Sequence, residues 1–151
     1  MKKTSSDYIY VGIQFILFVV YMIPITEITF ATGSVLNLIG ITLLTLEILI
    51  GLLRVIQLNR NLSPFPTAIT GGELIETGLY KYIRHPIYTS ILITLLGYGL
   101  YSGSGYKILI TITLLLLFFY KSKYEEKKLS STFSGYTEYL IKKGRFLPKI
   151  F

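Results

Sequence analysis

The apolar residues of this chain are gathered into four blocks instead of recurring at amphipathic intervals. The blocks cover residues 8–25, 35–58, 87–101 and 106–120. A helix rises about 1.5 Å per residue, so the second block can cross a hydrocarbon core of roughly 30 Å, whereas the third and fourth fall short of about 20 residues. The pattern predicts an all-α fold: a polytopic membrane helical bundle of about four transmembrane helices, forming a single integral membrane domain over residues 1–151.

The polar segments between the blocks predict how the helices are arranged. A link as short as residues 102–105 makes the third and fourth helices an antiparallel hairpin. Lysine and arginine flank the ends next to both termini and the loop 59–86, whereas the link 26–34 carries one acid, Glu27, and no base. The positive-inside rule therefore places both termini, that loop and a helical tail within residues 121–151 in the cytosol. We expect the protein to lie in the cell (plasma) membrane.

Composition excludes several kinds of site. The chain is 52% hydrophobic, with a mean hydropathy of +0.59, which is too apolar for an ordinary soluble domain. It has no cysteine and one histidine, so we expect no disulfide, no thiolate nucleophile and no metal site. The net charge of +7 is explained by basic loops beside the spans, and we expect no binding of nucleic acid.

The most informative segment is Arg84-His85-Pro86-Ile87-Tyr88, where a polar loop enters the third block. Proline suits the first position of a helix, because its missing N–H would have no partner there. The free N–H groups of that turn, with Arg84 and His85, predict a positively charged helix start that can bind an anionic group of a ligand. The alternative is a basic helix cap among the lipid headgroups.

Acidic residues beyond the fourth block complete a candidate site. Lys121 and Glu125 are four residues apart and share a face if the helix continues. The predicted hairpin brings Glu125 beside His85, which predicts a pocket of both charge signs for a zwitterionic ligand. The alternative is a solvated charged helix. Apolar Leu74 and Ile75 can line a slot for a flat ring, or lie in a loop that simply folds against the bundle.

Two further pairs have open interpretations. Tyr136 and Tyr139 share one face by their spacing, and a helix that they anchor in the headgroups can also cover a site. Glu47 and Arg54 lie inside the second block, seven residues apart, so they point the same way. Ionisable groups in a span usually face the bundle or a cavity, and we interpret this pair as structural.

The chain from Arg60 to Pro148 resembles the membrane-embedded isoprenylcysteine carboxyl methyltransferase family, with its phospholipid methyltransferase relatives. The order and spacing of several motifs carry the resemblance, and these are Arg60-Asn61-Leu62-Ser63-Pro64, Thr77-Gly78-Leu79-Tyr80, Arg84-His85-Pro86-Ile87-Tyr88, Glu125-Glu126, Tyr136-x-x-Tyr139 and Arg145-Phe146-Leu147-Pro148. The first two blocks contribute little to it.

The resemblance implies an enzyme that uses S-adenosylmethionine and releases S-adenosylhomocysteine. It implies that the cofactor is wrapped by Glu73, Leu74, Ile75, Tyr80, His85, Pro86, Ile87, Tyr88 and Glu125. The family ties a basic residue, four positions before the first glutamate of the Glu-Glu pair, to the acceptor. Here that residue is Lys121 where arginine is expected, and lysine lacks the bidentate fork for a carboxylate.

The expected reaction is methyl transfer to a lipid or lipidated small-molecule or peptide acceptor that enters from the membrane. We expect a carboxylate such as isoprenylcysteine, held by Arg84, Lys121 or Arg145. Glu126 would orient that base, or take a proton from an amine acceptor. The alternatives are a phospholipid amine N-methyltransferase, a reductase that uses a nicotinamide cofactor, and a small non-enzymatic membrane scaffold.

Overall fold

The computed structural model describes residues 3–26, 28–58, 62–68 and 71–149. Glu27, Arg60 and Asn61, which entered the topology and motif predictions, lie outside the described residues. Within them the chain is all helical, and its elements are α1 (Ser5–Met22), α2 (Ser34–Leu58), a 3₁₀ turn (Gly78–Lys81), α3 (Pro86–Tyr101), α4 (Gly105–Thr132) and α5 (Tyr136–Lys142).

Three of these helices, α1, α2 and α4, are long and apolar enough to cross a membrane, and α3 is a shorter apolar helix of 16 residues. Large apolar side chains on α1 and α2 are exposed, such as Phe15 at 67% and Val35 at 73%. A helix that is apolar on all sides belongs in a core or in lipid. The expected all-α membrane bundle is therefore confirmed.

The predicted fourth block is only part of α4. This helix continues 12 residues beyond residue 120 and has 28 residues in all, a length of roughly 42 Å at about 1.5 Å per residue. That exceeds a hydrocarbon core of about 30 Å, so the charged last turns extend out of it. They carry Lys121, Glu125 and Glu126 to the end of the bundle where α3 begins.

The two middle helices make the closest packing. α3 packs most extensively against α2, and glycines bring the two backbones together. A Cβ added to Gly97 would lie 2.9 Å from the carbonyl oxygen of Gly40. In the same interface Arg54 Nη1 donates to Glu47 Oε2 at 3.0 Å and to the Pro86 carbonyl at 2.8 Å. The structural interpretation of this ion pair therefore agrees with its contacts, which fasten α2 to the first turn of α3.

α1 is fastened to α4 at the same end of the bundle. Lys128 Nζ donates to the fully buried Asp7 at 2.8 Å, and Thr67 Oγ1 donates to the same carboxylate oxygen at 2.7 Å. At the opposite end Gly103, with φ +62°, turns the chain from α3 into α4, and its carbonyl accepts from Phe30 N. The start of α1, the start of α3 and the end of α4 therefore meet with the segment 62–68.

Candidate active site

A cavity of about 380 Å³ lies where these ends converge. Its walls come from each of the helices α1 to α5, from the 3₁₀ turn and from the segments 62–68, 72–75 and 84–85. A volume of this size is typical of small-molecule sites. The lining includes every residue that the resemblance assigned to the cofactor, namely Glu73, Leu74, Ile75, Tyr80, His85, Pro86, Ile87, Tyr88 and Glu125. Apolar side chains dominate the lining, with a few charged groups among them.

The His-Pro element begins α3 as the sequence predicts. Pro86 is the first residue of the helix and His85 is its N-cap. The C-terminal segment forms hydrogen bonds with the backbone just before α3. Arg84 N donates to the Gly144 carbonyl at 2.9 Å, and His85 N donates to the Arg145 carbonyl at 3.0 Å. The backbone of residues 84–85 is therefore held by a segment some 60 positions away.

Glu126 is the centre of a buried ionic cluster. Its carboxylate accepts from Arg84 Nε at 2.9 Å, from Arg145 Nη2 at 2.6 Å and from His85 Nε2 at 3.1 Å. Since an ionised carboxylate can only accept, Nε2 of His85 is the donor in this hydrogen bond. We call Glu126 with Arg84, His85 and Arg145 the Glu126 cluster. Among the described residues, the cavity lining includes Arg84 and His85 but neither Glu126 nor Arg145.

Glu125, the neighbouring acid, faces the cavity. Its Oε2 atom accepts from the Tyr88 hydroxyl at 2.9 Å and lies 3.8 Å from His85 Nδ1. The expected proximity of His85 and Glu125 is thus observed. The rings of His85 and Tyr88 are stacked with centroids 5.3 Å apart, and Tyr88 stacks on Phe118 at 4.5 Å. This stack fixes the positions of the Glu125 carboxylate and the His85 imidazole at one wall of the cavity.

Lys121 differs from the other cations of the site. Its side chain is fully buried and lines the cavity. Lys121 Nζ donates to Gln14 Oε1 at 2.5 Å and to the Pro64 carbonyl at 2.8 Å. The prediction that Lys121 and Glu125 share a helix face is confirmed, because both lie on α4 and line the same cavity.

Tyrosines cover the cavity opposite the spans. Tyr136 and Tyr139 are 2% and 4% exposed, and the Tyr139 hydroxyl donates to the Tyr80 carbonyl at 2.6 Å. Burial raises the pKa of all three tyrosines above the ordinary phenol value, so each stays neutral. The shared face of Tyr136 and Tyr139 points into the protein, as expected of residues that cover a site.

Several lining residues were missed by the sequence reasoning. Gln14 from α1, Thr67 and Phe133 belong to the lining. The one signal for Gln14 was an amide within an otherwise apolar block, which does not say what it faces. Of the motif that begins at Arg60, the described residues Leu62, Ser63 and Pro64 line the cavity.

Comparison with known proteins agrees with the resemblance. A family model described as phospholipid methyltransferase matches residues 35–135, which include nearly all of α2, the whole of α3 and α4, and most of the cavity lining. A comparison with curated protein sequences gives no match. The chain belongs to the phospholipid methyltransferase family of membrane methyltransferases, which includes relatives of isoprenylcysteine carboxyl methyltransferase.

Proposed function

We propose that the protein transfers a methyl group from S-adenosylmethionine to a lipidic acceptor with a carboxylate, such as isoprenylcysteine. The observation that carries the proposal is a single cavity at the end of a membrane bundle, lined by Lys121, His85 and Glu125 together with apolar side chains. Family membership supports methyl transfer and a lipid-linked acceptor.

The chemistry of the lining fits the methyl donor. S-adenosylmethionine supplies a methyl group already activated on a positive sulfonium, beside an ammonium, a carboxylate and a flat adenine ring. Glu125 offers a negative charge for the cationic groups, and Leu74 and Ile75 offer apolar surface for the ring. The protein's task is then to place acceptor and donor in line and to exclude water.

The contacts distinguish the three bases predicted to hold the acceptor. Arg84 and Arg145 are already paired with Glu126, and Arg84 also donates to the Leu140 carbonyl at 2.6 Å. Lys121 has neutral oxygen partners and lines the cavity. We therefore assign the acceptor's anionic group to Lys121. We assign Glu126 the role of orienting Arg84 and Arg145, since its oxygens already accept four hydrogen bonds.

The second candidate is N-methylation of a phospholipid amine. Glu125 favours it, because a carboxylate facing the cavity can receive a proton from an amine, and the matched family model is named for phospholipids. Lys121 would then bind the phosphate. Labelled S-adenosylmethionine with N-acetyl-S-farnesylcysteine, or with phosphatidylethanolamine vesicles, separates the two, since each acceptor accumulates label only if its own reaction occurs.

Calorimetry with S-adenosylmethionine in detergent tests the donor site. We expect His85→Ala and Glu125→Ala each to weaken donor binding by at least about tenfold, which is roughly 1.4 kcal/mol. Glu138→Ala is the control, because the exposed Glu138 lies outside the cavity lining. If the folded wild-type protein does not bind millimolar donor, the non-enzymatic scaffold is the better interpretation.

The proposal includes a plasma-membrane location with both termini and the cavity in the cytosol. The ion pair between Asp7 and Lys128 supports one part of it, namely that both termini lie on the same side of the membrane, because it joins the start of α1 to the last turns of α4. The cysteine-free chain allows a direct test by labelling single cysteines in whole cells. We expect Ser131→Cys to be protected from an impermeant maleimide and Gly33→Cys, at the other end of the bundle, to react. The reverse pattern would invert the topology.

A further inference from the structure

Lys121 is a buried cation whose hydrogen-bond partners among the described residues are all uncharged. Its side chain is fully buried, and its ammonium contacts the Gln14 amide oxygen, the Pro64 carbonyl oxygen and, at 5.3 Å, the face of the Tyr88 ring. None of the described carboxylates lies within 4.0 Å of its ammonium, and Glu125, one turn further along α4, attracts it from a greater distance. Burying a charge without a counter-charge in direct contact is costly, and an anion bound against the ammonium would relieve that cost.

Gln14 gives this ammonium an unusual neighbour. It lies on α1, outside the residues 35–135 that match the family, and it lines the cavity. An ammonium has donors and no acceptor, so the group facing Lys121 must be the amide oxygen of Gln14. The amide nitrogen of Gln14, which makes no hydrogen bond within the described residues, is left with two donors beside the same cavity.

We propose that Gln14 and Lys121 together form the subsite that binds the anionic group of the acceptor lipid. The Gln14 amide and the Lys121 ammonium place two donors side by side, as one arginine guanidinium does for a carboxylate or phosphate. The subsite thereby replaces the fork that lysine lacks. This inference rests on the proposed methyl transfer and adds an acceptor residue from α1.

The position of Gln14 also suits an acceptor with a lipid tail. Its neighbours on α1, Ile13 and Phe15, are 42% and 67% exposed along the apolar outside of the bundle. The amide lies about 13 Å along the helix from Ser5, at roughly 1.5 Å per residue. An anionic head at Gln14 and Lys121 would therefore sit below the tyrosine cover, with its chain free to lie along α1 in the hydrocarbon.

The test compares Gln14→Leu, Lys121→Arg and the double variant in detergent. We expect Gln14→Leu to raise the KM for the acceptor at least about tenfold, while the Kd for S-adenosylmethionine stays within about twofold. The double variant should regain most of the loss, because arginine brings its own second donor. Gly12→Ala, a change on α1 with open space around it, is the control and should leave both constants unchanged.

Direct binding of two related ligands tests the subsite without the reaction. N-acetyl-S-farnesylcysteine carries a carboxylate, and its methyl ester does not. We expect Gln14→Leu to weaken binding of the acid about tenfold and to leave binding of the ester unchanged. Phosphatidylethanolamine vesicles form the third arm and report a phosphate in place of a carboxylate.

Two results would overturn the subsite. One is a Gln14→Leu protein that binds the acid and the phospholipid as tightly as wild type. The other is a loss of donor affinity as large as the loss of acceptor affinity, which would make Gln14 merely structural. If wild type binds the acid in a Gln14-dependent way but does not bind S-adenosylmethionine, the subsite stands and methyl transfer fails.

Discussion

Replacing Glu126 by glutamine would remove the negative charge of the Glu126 cluster with almost no change in volume. The side chains of Glu126 and Arg84 are 5% and 7% exposed, and that of Arg145 is 21% exposed. Removing one partner of a buried ion pair costs about 3–5 kcal/mol, because the other charge is left uncompensated. Arg145 retains some contact with solvent, so the lower limit, about 3 kcal/mol, is the expected loss in the free energy of unfolding.

The loss is measurable as a melting temperature in detergent. For a chain of this length, about 1 kcal/mol corresponds to roughly 2–4 °C, so Glu126→Gln should melt about 6–12 °C below wild type. Glu138→Gln is the matched control, because Glu138 also pairs with a basic residue, Lys142 at 2.5 Å, but the two side chains are 71% and 62% exposed. Water screens such a pair, and no measurable shift is expected.

Glu126→Gln should also bind S-adenosylmethionine more weakly. Arg84 and His85 line the cavity, and both lose the carboxylate of Glu126 as their shared partner. A Glu126→Gln protein that melts within about 1 °C of wild type would refute the reasoning. It would mean that water or other groups satisfy the two arginines as well as the carboxylate does. Unchanged stability with lost turnover would instead make Glu126 a participant in the chemistry.

Three further predictions concern packing, the ion pair inside the span and pH. Gly97→Ala should lower the free energy of unfolding by about 1–3 kcal/mol, since its Cβ meets backbone 2.8 Å away, whereas Gly12→Ala should leave it unchanged or raise it; equal melting temperatures would contradict this. Arg54→Met should cost about 3–5 kcal/mol, and adding Glu47→Leu should recover most of it; a double-mutant cycle without coupling would refute the pairing. Because burial raises the pKa of Tyr136, its contribution to stability is complete below pH about 10 and lost at higher pH. Melting temperatures should therefore fall above that pH, and less steeply for Tyr136→Phe; identical slopes would contradict it.

The boundaries of the helices show how much of the secondary structure the hydropathy of the sequence predicts. The predicted blocks 35–58 and 87–101 correspond to Ser34–Leu58 and Pro86–Tyr101. The transfer of apolar residues into lipid depends on each segment by itself, so hydropathy locates such helices well. A continuation of the fourth helix was one of the expectations, but its end at Thr132 could not be located, because the last 12 residues are polar and hydropathy does not distinguish a polar helix from a loop.

The candidate site was predictable where its parts are local. Proline at the start of α3 and the four-residue spacing of Lys121 and Glu125 depend on helix geometry alone, and a short hairpin link brings His85 to Glu125. Resemblance to a family supplied further lining residues, including Glu73, which no local pattern marks as a site residue, but not Gln14, Thr67 or Phe133.

The sequence by itself determined which segments are helices in a membrane and which end of the hairpin carries the charges, because these follow from local hydropathy and helical spacing. Only the tertiary structure decided which charges are paired. Lys121 and Gln14 are 107 positions apart, and Arg145 pairs with the carboxylate of Glu126. Among the described cations that line the cavity, Lys121 is left with neutral hydrogen-bond partners. Such pairing depends on distances in space and on burial, and these exist only once the helices have packed.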